Sequence, residues 1–268
     1  FAAEGLEIDT APVAGGATGI PGMVGGAYDI VFTNIVSAVL ARQQNIDLRI
    51  IAPGSAARRE PPDFAAILVR KGENIRSGAD LNGRSFAVNT RNNIIWLYAR
   101  EWAQRTGADV AKINFREVPF PQMVDALRGK QVDAIFTPEP YHSIGAADQG
   151  IEVIAYPYVA AQPGAVVAPY VAMQSFIQQN PDTVRRFAAA LRKGAQWVNA
   201  NRGSDRFVQI VGGYTRLDPD RIRKMTLAEA PLDVPAASIA ATMELMRKHG
   251  LLTATLDPAA MLHETASA

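Results

Sequence analysis

The side chains best suited to binding chemistry lie in two loops that follow short apolar strands. One loop begins with Thr33 and Asn34, and the other is the run Asn-Thr-Arg-Asn-Asn at residues 89–93. Each loop leads into a segment with helical periodicity, so its amides and hydroxyls would lie beside backbone N–H groups that have no partner within the helix. A helix N-terminus also favours negative charge. The two loops therefore predict binding of an oxyanion or a carboxylate, unless Asn34 and Asn93 serve only as helix caps.

Three further side chains could contribute to such a site. Arg91 is the one cation inside these loops, and a guanidinium fork suits a sulfonate or a carboxylate, although a solvated surface arginine is the alternative interpretation. Glu139 lies between two prolines, where it could accept hydrogen bonds from a ligand or only buttress its own loop. Phe64 and Tyr141 are candidates for apolar cleft walls, and each could equally belong to the core.

A glycine-rich run, Gly-Gly-Ala-Thr-Gly at residues 15–19, lies between a predicted strand and a predicted helix. It lacks the lysine of a P-loop, and its spacing differs from the dinucleotide-binding fingerprint. We therefore predict a tight turn with close backbone approach to a ligand. The predicted ligand-binding residues are Gly16, Thr18, Thr33, Asn34, Ser55, Phe64, Asn89, Thr90, Arg91, Asn93, Glu139 and Tyr141.

Sequence motifs for catalysis and metal binding are missing. His142, His249 and His263 lack metal-ligand spacing, no Gly-x-Ser-x-Gly elbow is present, and the chain has no cysteine. We therefore expect no catalytic residues, no bound metal and no cofactor. The net charge of +1 gives no reason to expect a nucleic-acid surface. No apolar run approaches the ~20 residues that a membrane helix needs.

The run Asp-Ile-Val-Phe-Thr at residues 29–33 returns as Asp-Ala-Ile-Phe-Thr at residues 133–137. Short apolar strands alternate with helical segments around both copies, which predicts an α/β fold with mainly parallel sheets. The repeat therefore predicts two lobes of one architecture. The predicted strands are 6–8, 28–32, 48–52, 64–69, 85–88, 115–118 and 132–136, and the predicted helices between them are 21–26, 34–43, 93–104 and 122–128.

Helices dominate the chain after residue 173. Asn180-Pro181, Asp218-Pro219 and Pro235 each predict a helix start, and Gly250 predicts the end of the last helix. The chain is therefore expected to leave its first lobe, build a second and return. We predict a first lobe from residues 1–66, an inserted second lobe from 67–165, and a return to the first lobe with C-terminal helices from 166–268.

The ordered set of motifs resembles the nitrate/sulfonate/taurine-type solute-binding proteins of ABC transporters, which are related to binding proteins for thiamine-pyrimidine precursors. The resemblance runs over nearly the whole chain, including both Phe-Thr runs and residues 80–93, 132–140 and 180–183. It implies a two-lobed periplasmic-binding-protein type II fold, with the C-terminal helices packed on the first lobe. In that family an initial strand and most of a first helix precede the position of Phe1, so this part of the first lobe is expected to be absent.

The resemblance also implies a function. A protein of this family captures a small organic or inorganic anion, such as a sulfonate, a carboxylate or a nitrate-like ion, in the cleft between its lobes. It closes by hinge bending and delivers the ligand to a membrane permease. Such a protein is periplasmic or lipid-anchored on the outer face of the cytoplasmic membrane, is expected to be a monomer, and has the permease rather than nucleic acid as its partner. The alternatives are a ligand-sensing module, a binder of a thiamine-pyrimidine-like heterocycle, and an enzyme similar to the pyrimidine synthases, whose cysteine-rich motif this chain lacks.

Overall fold

The computed structural model describes residues 1–13 and 16–267. Its contacts divide the chain into two compact units. Unit 1 comprises Phe1–Ala56, Ala165–Arg202 and Glu229–Ala268, and unit 2 comprises Ala57–Gly164 and Gly203–Ala228. Each unit combines a β-sheet with flanking helices, which confirms the predicted α/β class.

The strands of the described residues are β1 (Ile30–Phe32), β2 (Leu48–Ala56), β3 (Ala65–Arg70), β4 (Ser85–Val88), β5 (Asn114–Glu117), β6 (Ala134–Pro138), β7 (Ile151–Ala155) and β8 (Val166–Met173). The helices are α1 (Gly16–Val24), α2 (Ile35–Gln43), α3 (Ile94–Arg105), α4 (Phe120–Arg128), α5 (Tyr141–Ala146), α6 (Pro157–Ala161), α7 (Gln174–Gln179), α8 (Pro181–Asn201), α9 (Asp205–Thr215), α10 (Pro219–Lys224) and α11 (Ala236–Lys248). Short 3₁₀ helices span Ala2–Glu4, Ala79–Leu81, Ala259–Met261 and Glu264–Ala266. Among these helices, none has both the length and the apolar character needed to cross a membrane.

The sheet of unit 1 has the strand order β1-β8-β2. β8 lies antiparallel to both neighbours, with Tyr170 opposite Phe32 and Val166 opposite Ala56. The expectation of a mainly parallel sheet is wrong for this unit, because the returning strand β8 is inserted between β1 and β2 and runs against both. The predicted strand at residues 6–8 is also wrong, because these residues pair with no strand of the described chain.

The first long helix begins earlier than the sequence predicts. α1 starts at Gly16, so Pro21 lies inside the helix, and residues 16–19 are helical rather than a tight turn. Gly19 allows α1 to pack closely on β1, because a Cβ at this position would lie 2.7 Å from Cγ1 of Val31. Gly15, which begins the glycine-rich run, lies outside the described residues.

The sheet of unit 2 has the strand order β5-β4-β6-β3-β7. β4 is parallel to β5 and β6, whereas β3 is antiparallel to β6 and β7. The predicted parallel pattern therefore holds for β5, β4 and β6 and fails at β3. One face of this sheet packs on α4 through a buried cluster that includes Leu68, Leu127 and Ile135. Phe136 points to the opposite face, since strand side chains alternate, and packs there on Tyr158 with ring centroids 5.3 Å apart.

Helices α9 and α10 group with unit 2, whereas the sequence analysis assigns all of residues 166–268 to the first lobe. The backbone N–H of Thr226 donates to Oε1 of Glu139 at 2.9 Å. Within the segment, Arg223 pairs with Asp205 at 2.5 Å. Glu139 and Thr226 are 87 residues apart in the sequence, so a local sequence pattern could not predict their contact.

The helix-start signals had different outcomes. Asp218 caps α10 by accepting the backbone N–H of Asp220 at 2.9 Å, as predicted. Asn180 makes no side-chain cap bond to α8, so that predicted cap is wrong. Its amide instead donates to the carbonyl of Phe176 at 3.2 Å, because Asn180 also ends α7. Gly250 follows α11 with a φ of 72°, the left-handed conformation expected at a helix end.

Candidate functional site

Four segments of unit 2 meet at one edge of its sheet. β4, β5 and β6 are parallel, and β7 runs in the same direction because β6 and β7 are both antiparallel to β3. Their carboxyl ends therefore share an edge, which is where ligands collect in open α/β sheets. Residues 89–93 follow β4, residues 139–142 follow β6 and residues 156–158 follow β7, while residues 63 and 64 precede β3 at the same edge.

The loop at residues 89–93 is held together by its own side chains. Asn93 caps α3 by accepting the backbone N–H of Trp96 at 3.1 Å. Its amide donates to Oδ1 of Asn89 at 2.7 Å and to Oγ1 of Thr90 at 2.8 Å. Asn93 is 4% exposed, whereas Asn89 and Thr90 are partly exposed. Asn93 is thus a structural residue of the loop. The side-chain amide of Asn89 donates no hydrogen bond to any of the described residues.

Arg91 turns back onto the neighbouring strand. Its guanidinium donates to the carbonyl of Phe115 at 2.6 Å, and its backbone N–H donates to Oε1 of Glu117 at 2.5 Å. The guanidinium and the backbone of Arg91 are therefore both tied to β5. A direct contact between Arg91 and a ligand stays a prediction.

Glu139 uses both carboxylate oxygens inside the unit. Oε1 accepts the hydroxyl of Ser143 at 2.6 Å and the backbone N–H of Thr226 at 2.9 Å, and Oε2 accepts the backbone N–H of Ser143 at 3.1 Å. Burial by itself would raise the pKa of Glu139, but the nearby His142 imidazole and hydrogen bonds from Ser143 and Thr226 hold the pKa below its ordinary value. The geometry matches the buttressing role that the sequence analysis left open.

Asp63 was missed by the sequence analysis. Its side chain is fully buried, and Oδ1 accepts the backbone N–H groups of Arg58 at 3.0 Å and Phe64 at 2.8 Å. Oδ2 has no hydrogen-bond partner within the described residues, and burial raises the pKa of Asp63. The available signal was an aspartate placed directly before a wholly apolar strand.

His142 lies beside Glu139. Its Nδ1 is 3.4 Å from Oε1 of Glu139, and its side chain is 6% exposed. Burial raises the pKa of the neighbouring Tyr156, and the charges of Asp63 and Glu139 add to the increase. The described residues contain no cluster of three histidine, aspartate or glutamate side chains suited to a metal. Two acids and one imidazole therefore share a buried polar region next to the strand ends.

Phe64 and Tyr141 are partly exposed and also packed on aromatic neighbours. Phe64 stacks on Tyr158 with centroids 5.7 Å apart, and Tyr141 stacks on Phe120 with centroids 6.5 Å apart. Each therefore combines a core contact with an accessible face, and a role as a cleft wall stays a prediction.

In unit 1 the corresponding edge carries Thr33, Asn34 and Ser55. Asn34 caps α2, accepting the backbone N–H of Ser37 at 2.9 Å and donating to the hydroxyl of Ser37 at 2.9 Å. The backbone N–H of Thr33 donates to the carbonyl of Pro169 in β8 at 3.0 Å. Ser55 lies opposite Ala168 on the other side of β8. Thr33 and Ser55 are thus two strand spacings apart, roughly 10 Å.

The hydroxyl of Thr33 is buried and has no hydrogen-bond partner within residues 1–13 and 16–267. Its repeat counterpart Thr137 has the same property, so the two copies share this detail. Gly16 and Thr18 lie in the first turn of α1, and Thr18 is exposed. Ligand contact by the residues of this edge stays a prediction.

The sequence analysis also missed Phe32, the last residue of β1. Its side chain is 49% exposed, whereas Phe136, at the same position of the second repeat, is fully buried. A Phe-Thr pair therefore lies near the carboxyl end of a strand in both units, but only one of the two phenylalanines is accessible.

Three solved structures are similar to this one over most of the chain. The alkanesulfonate-binding protein SsuA from Xanthomonas axonopodis pv. citri, bound to MOPS, has a TM-score of 0.77 at 16% identity, covering 94% of this chain and 86% of that chain. The periplasmic aliphatic sulphonate-binding protein SsuA from Escherichia coli has a TM-score of 0.71 at 18% identity, covering 93% and 80%. The periplasmic nitrate-binding protein NrtA from Synechocystis PCC 6803 has a TM-score of 0.78 at 12% identity, covering 94% and 77%. The predicted periplasmic-binding-protein fold is confirmed.

The family model described as NMT1/THI5 like matches residues 1–202. The chain therefore belongs to the NMT1/THI5-like family, in agreement with the resemblance found in the sequence. None of the curated proteins compared with the chain matches it.

Proposed function

We propose that this protein is the solute-binding protein of an ABC importer. It captures a small anion, organic or inorganic, of the sulfonate, carboxylate or nitrate-like kind and delivers it unchanged to a membrane permease. It works in the periplasm or from a lipid anchor on the outer face of the cytoplasmic membrane. Support comes from the family of the chain and from the similar fold of proteins named for binding sulfonates and nitrate.

The observation that carries the ligand class is a pair of asparagine-capped helix N-termini at strand ends. α2 begins directly after Thr33 and Asn34, and α3 begins directly after residues 89–93. The first N–H groups of each helix have no acceptor within that helix, and the helix dipole favours an anion there. Neutral donors and helix N-termini would hold the ligand, with Arg91 as the nearby positive charge, which suits a weakly hydrated anion.

Replacement of Asn89 and of Asn34 by alanine tests this proposal. We expect each variant to bind methanesulfonate or nitrate about tenfold more weakly, which corresponds to roughly 1.4 kcal/mol. The thermal stability of the Asn34 variant should also fall, because loss of a helix cap costs about 1 kcal/mol. The Asn89 variant should melt closer to the wild type, since Asn89 only accepts one bond from Asn93. Isothermal titration calorimetry and thermal melts separate the two effects.

Asn201→Ala is the matched control, because this asparagine also uses its amide locally, donating to the carbonyl of Trp197 at 2.8 Å at the far end of α8. It should bind both anions like the wild type. If Asn34→Ala and Asn89→Ala bind normally and only melt earlier, the two residues are caps and the helix N-termini are not the anion site. Failure of the wild type to bind methanesulfonate, nitrate or a carboxylate such as acetate would remove the proposed ligand class.

A further inference from the structure

The exposure of Phe32 does not follow from its sequence motif. Both repeats place a phenylalanine before the threonine at a strand end, yet Phe136 is fully buried against Tyr158 and Phe32 is 49% exposed. The difference lies in what surrounds each ring. In unit 2 the ring is covered by α6 through Tyr158, whereas nothing of the described chain covers the outer half of Phe32.

The covered half of Phe32 is packed tightly. Its ring lies 5.1 Å from that of Tyr170 in β8, tilted by 52°. It also reaches Gly54 in β2, where a Cβ would lie 2.5 Å from a ring carbon of Phe32 and 2.6 Å from the carbonyl oxygen of Ala168. Real Cβ atoms do not tolerate such distances, so only glycine at position 54 permits this placement.

Tyr170 is itself supported from behind by Phe187, with ring centroids 5.5 Å apart at 72°. The ring of Phe32 is therefore fixed by an aromatic neighbour and by the backbone of β2 while one half stays accessible. A side chain held in this way loses little further conformational freedom when a ligand packs on it, which favours binding.

The position of the ring links it to the anion site proposed above. Phe32 is the last residue of β1, and only Thr33 and the cap residue Asn34 separate it from the first residue of α2. Successive strand side chains point to opposite faces, and Phe32 and Thr33 therefore flank the end of β1.

We propose that Phe32 determines ligand specificity by packing on the apolar or planar body of an organic anion. This inference rests on the proposed function and narrows it. The charged group of the ligand lies at the α2 N-terminus, and its hydrocarbon body covers the exposed half of the Phe32 ring. Inorganic anions such as nitrate lack that body and bind more weakly.

Calorimetric titration with nitrate, methanesulfonate and benzenesulfonate tests the inference. The wild type should bind benzenesulfonate about tenfold or more tightly than methanesulfonate, and nitrate most weakly; tenfold corresponds to ~1.4 kcal/mol. Phe32→Ala should remove this preference by weakening benzenesulfonate binding about tenfold, with methanesulfonate affinity changed less than about twofold. Phe32→Tyr should keep the preference, which shows that the variants remain folded and that the ring is the determinant.

Tyr214→Ala is the control, because Tyr214 is an exposed aromatic side chain, at 84%, and lies on α9 of unit 2, outside the aromatic contacts of Phe32. It should leave the preference intact. Equal affinity of the wild type for nitrate and benzenesulfonate would refute the role of Phe32 while leaving the proposed function in place. An equal loss for all three anions in Phe32→Ala would assign Phe32 a structural role and also refute it. Binding of none of them would remove both proposals.

Discussion

Replacing Glu139 by glutamine should destabilise unit 2 through the loss of one buried carboxylate. In the wild type that carboxylate accepts three hydrogen bonds, from Ser143 Oγ, the Ser143 backbone and the Thr226 backbone. The amide of glutamine preserves the shape of the side chain, but it carries no charge and replaces one acceptor with a donor. The side chain of Glu139 is only 7% exposed, so water cannot substitute for the lost acceptor.

The magnitude follows from these three bonds. A hydrogen bond to a charged group contributes ~1.5–3 kcal/mol and a neutral one ~0.5–1.5 kcal/mol, so the two bonds to Oε1 should each weaken by about 1 kcal/mol. The third donor, the Ser143 backbone N–H, would face the new NH₂ group, which costs about 1 kcal/mol more. The free energy of unfolding should therefore fall by roughly 3 kcal/mol, or about 6–12 °C in melting temperature.

The effect should depend on pH. The pKa of Glu139 lies below its ordinary value of about 4.5, so its stabilising contribution is fully present above that value and is lost as the pH falls through the folded-state pKa. The stability difference between wild type and Glu139→Gln should therefore be largest near neutral pH and shrink below about pH 4.5.

Thermal melts and amide hydrogen exchange provide the assay. The exchange protection of the Thr226 amide should decrease in Glu139→Gln, because this N–H donates to Glu139. Glu152→Gln is the control, since Glu152 is an exposed glutamate of the same unit, and it should melt within about 1 °C of the wild type. A shift below about 2 °C for Glu139→Gln, with the Thr226 amide still protected, would contradict the proposed buttressing role.

Two further predictions concern packing and burial. Burial raises the pKa of Asp63 above about 3.8, so its stabilising contribution is present below that value and is lost as the pH rises through the folded-state pKa. The Asp63→Asn variant should therefore be as stable as the wild type near pH 3 and as stable or more stable near pH 7. A difference in melting temperature that does not change with pH would disprove this. Gly54→Ala should lose about 1–3 kcal/mol in chemical denaturation, because its Cβ would overlap Phe32 and the backbone of Ala168. Gly194→Ala, a helical glycine with open space around it, should gain up to about 1 kcal/mol, and equal effects of the two substitutions would exclude the overlap as the cause.

Much of the local structure was determined by the sequence alone. The cap at Asn34, the cap at Asp218 and the glycine that ends α11 follow from patterns that span fewer than ten residues, and all three are found in the structure. Strand and helix alternation likewise predicted the α/β class. These features depend on interactions between near neighbours in the chain, which a sequence displays directly.

Only the tertiary structure decided the strand pairing and the accessibility of the candidate site. The sequence could not show that β8 separates β1 from β2, that Arg91 turns to the carbonyl of Phe115, or that Glu139 accepts from Thr226. Nor could it distinguish Phe32 from Phe136, since both lie in the same motif and differ only in what covers the ring. Each of these outcomes depends on groups that are far apart in the chain. The interaction energy between such groups arises only when the folded chain brings them together, so a local sequence pattern does not contain it.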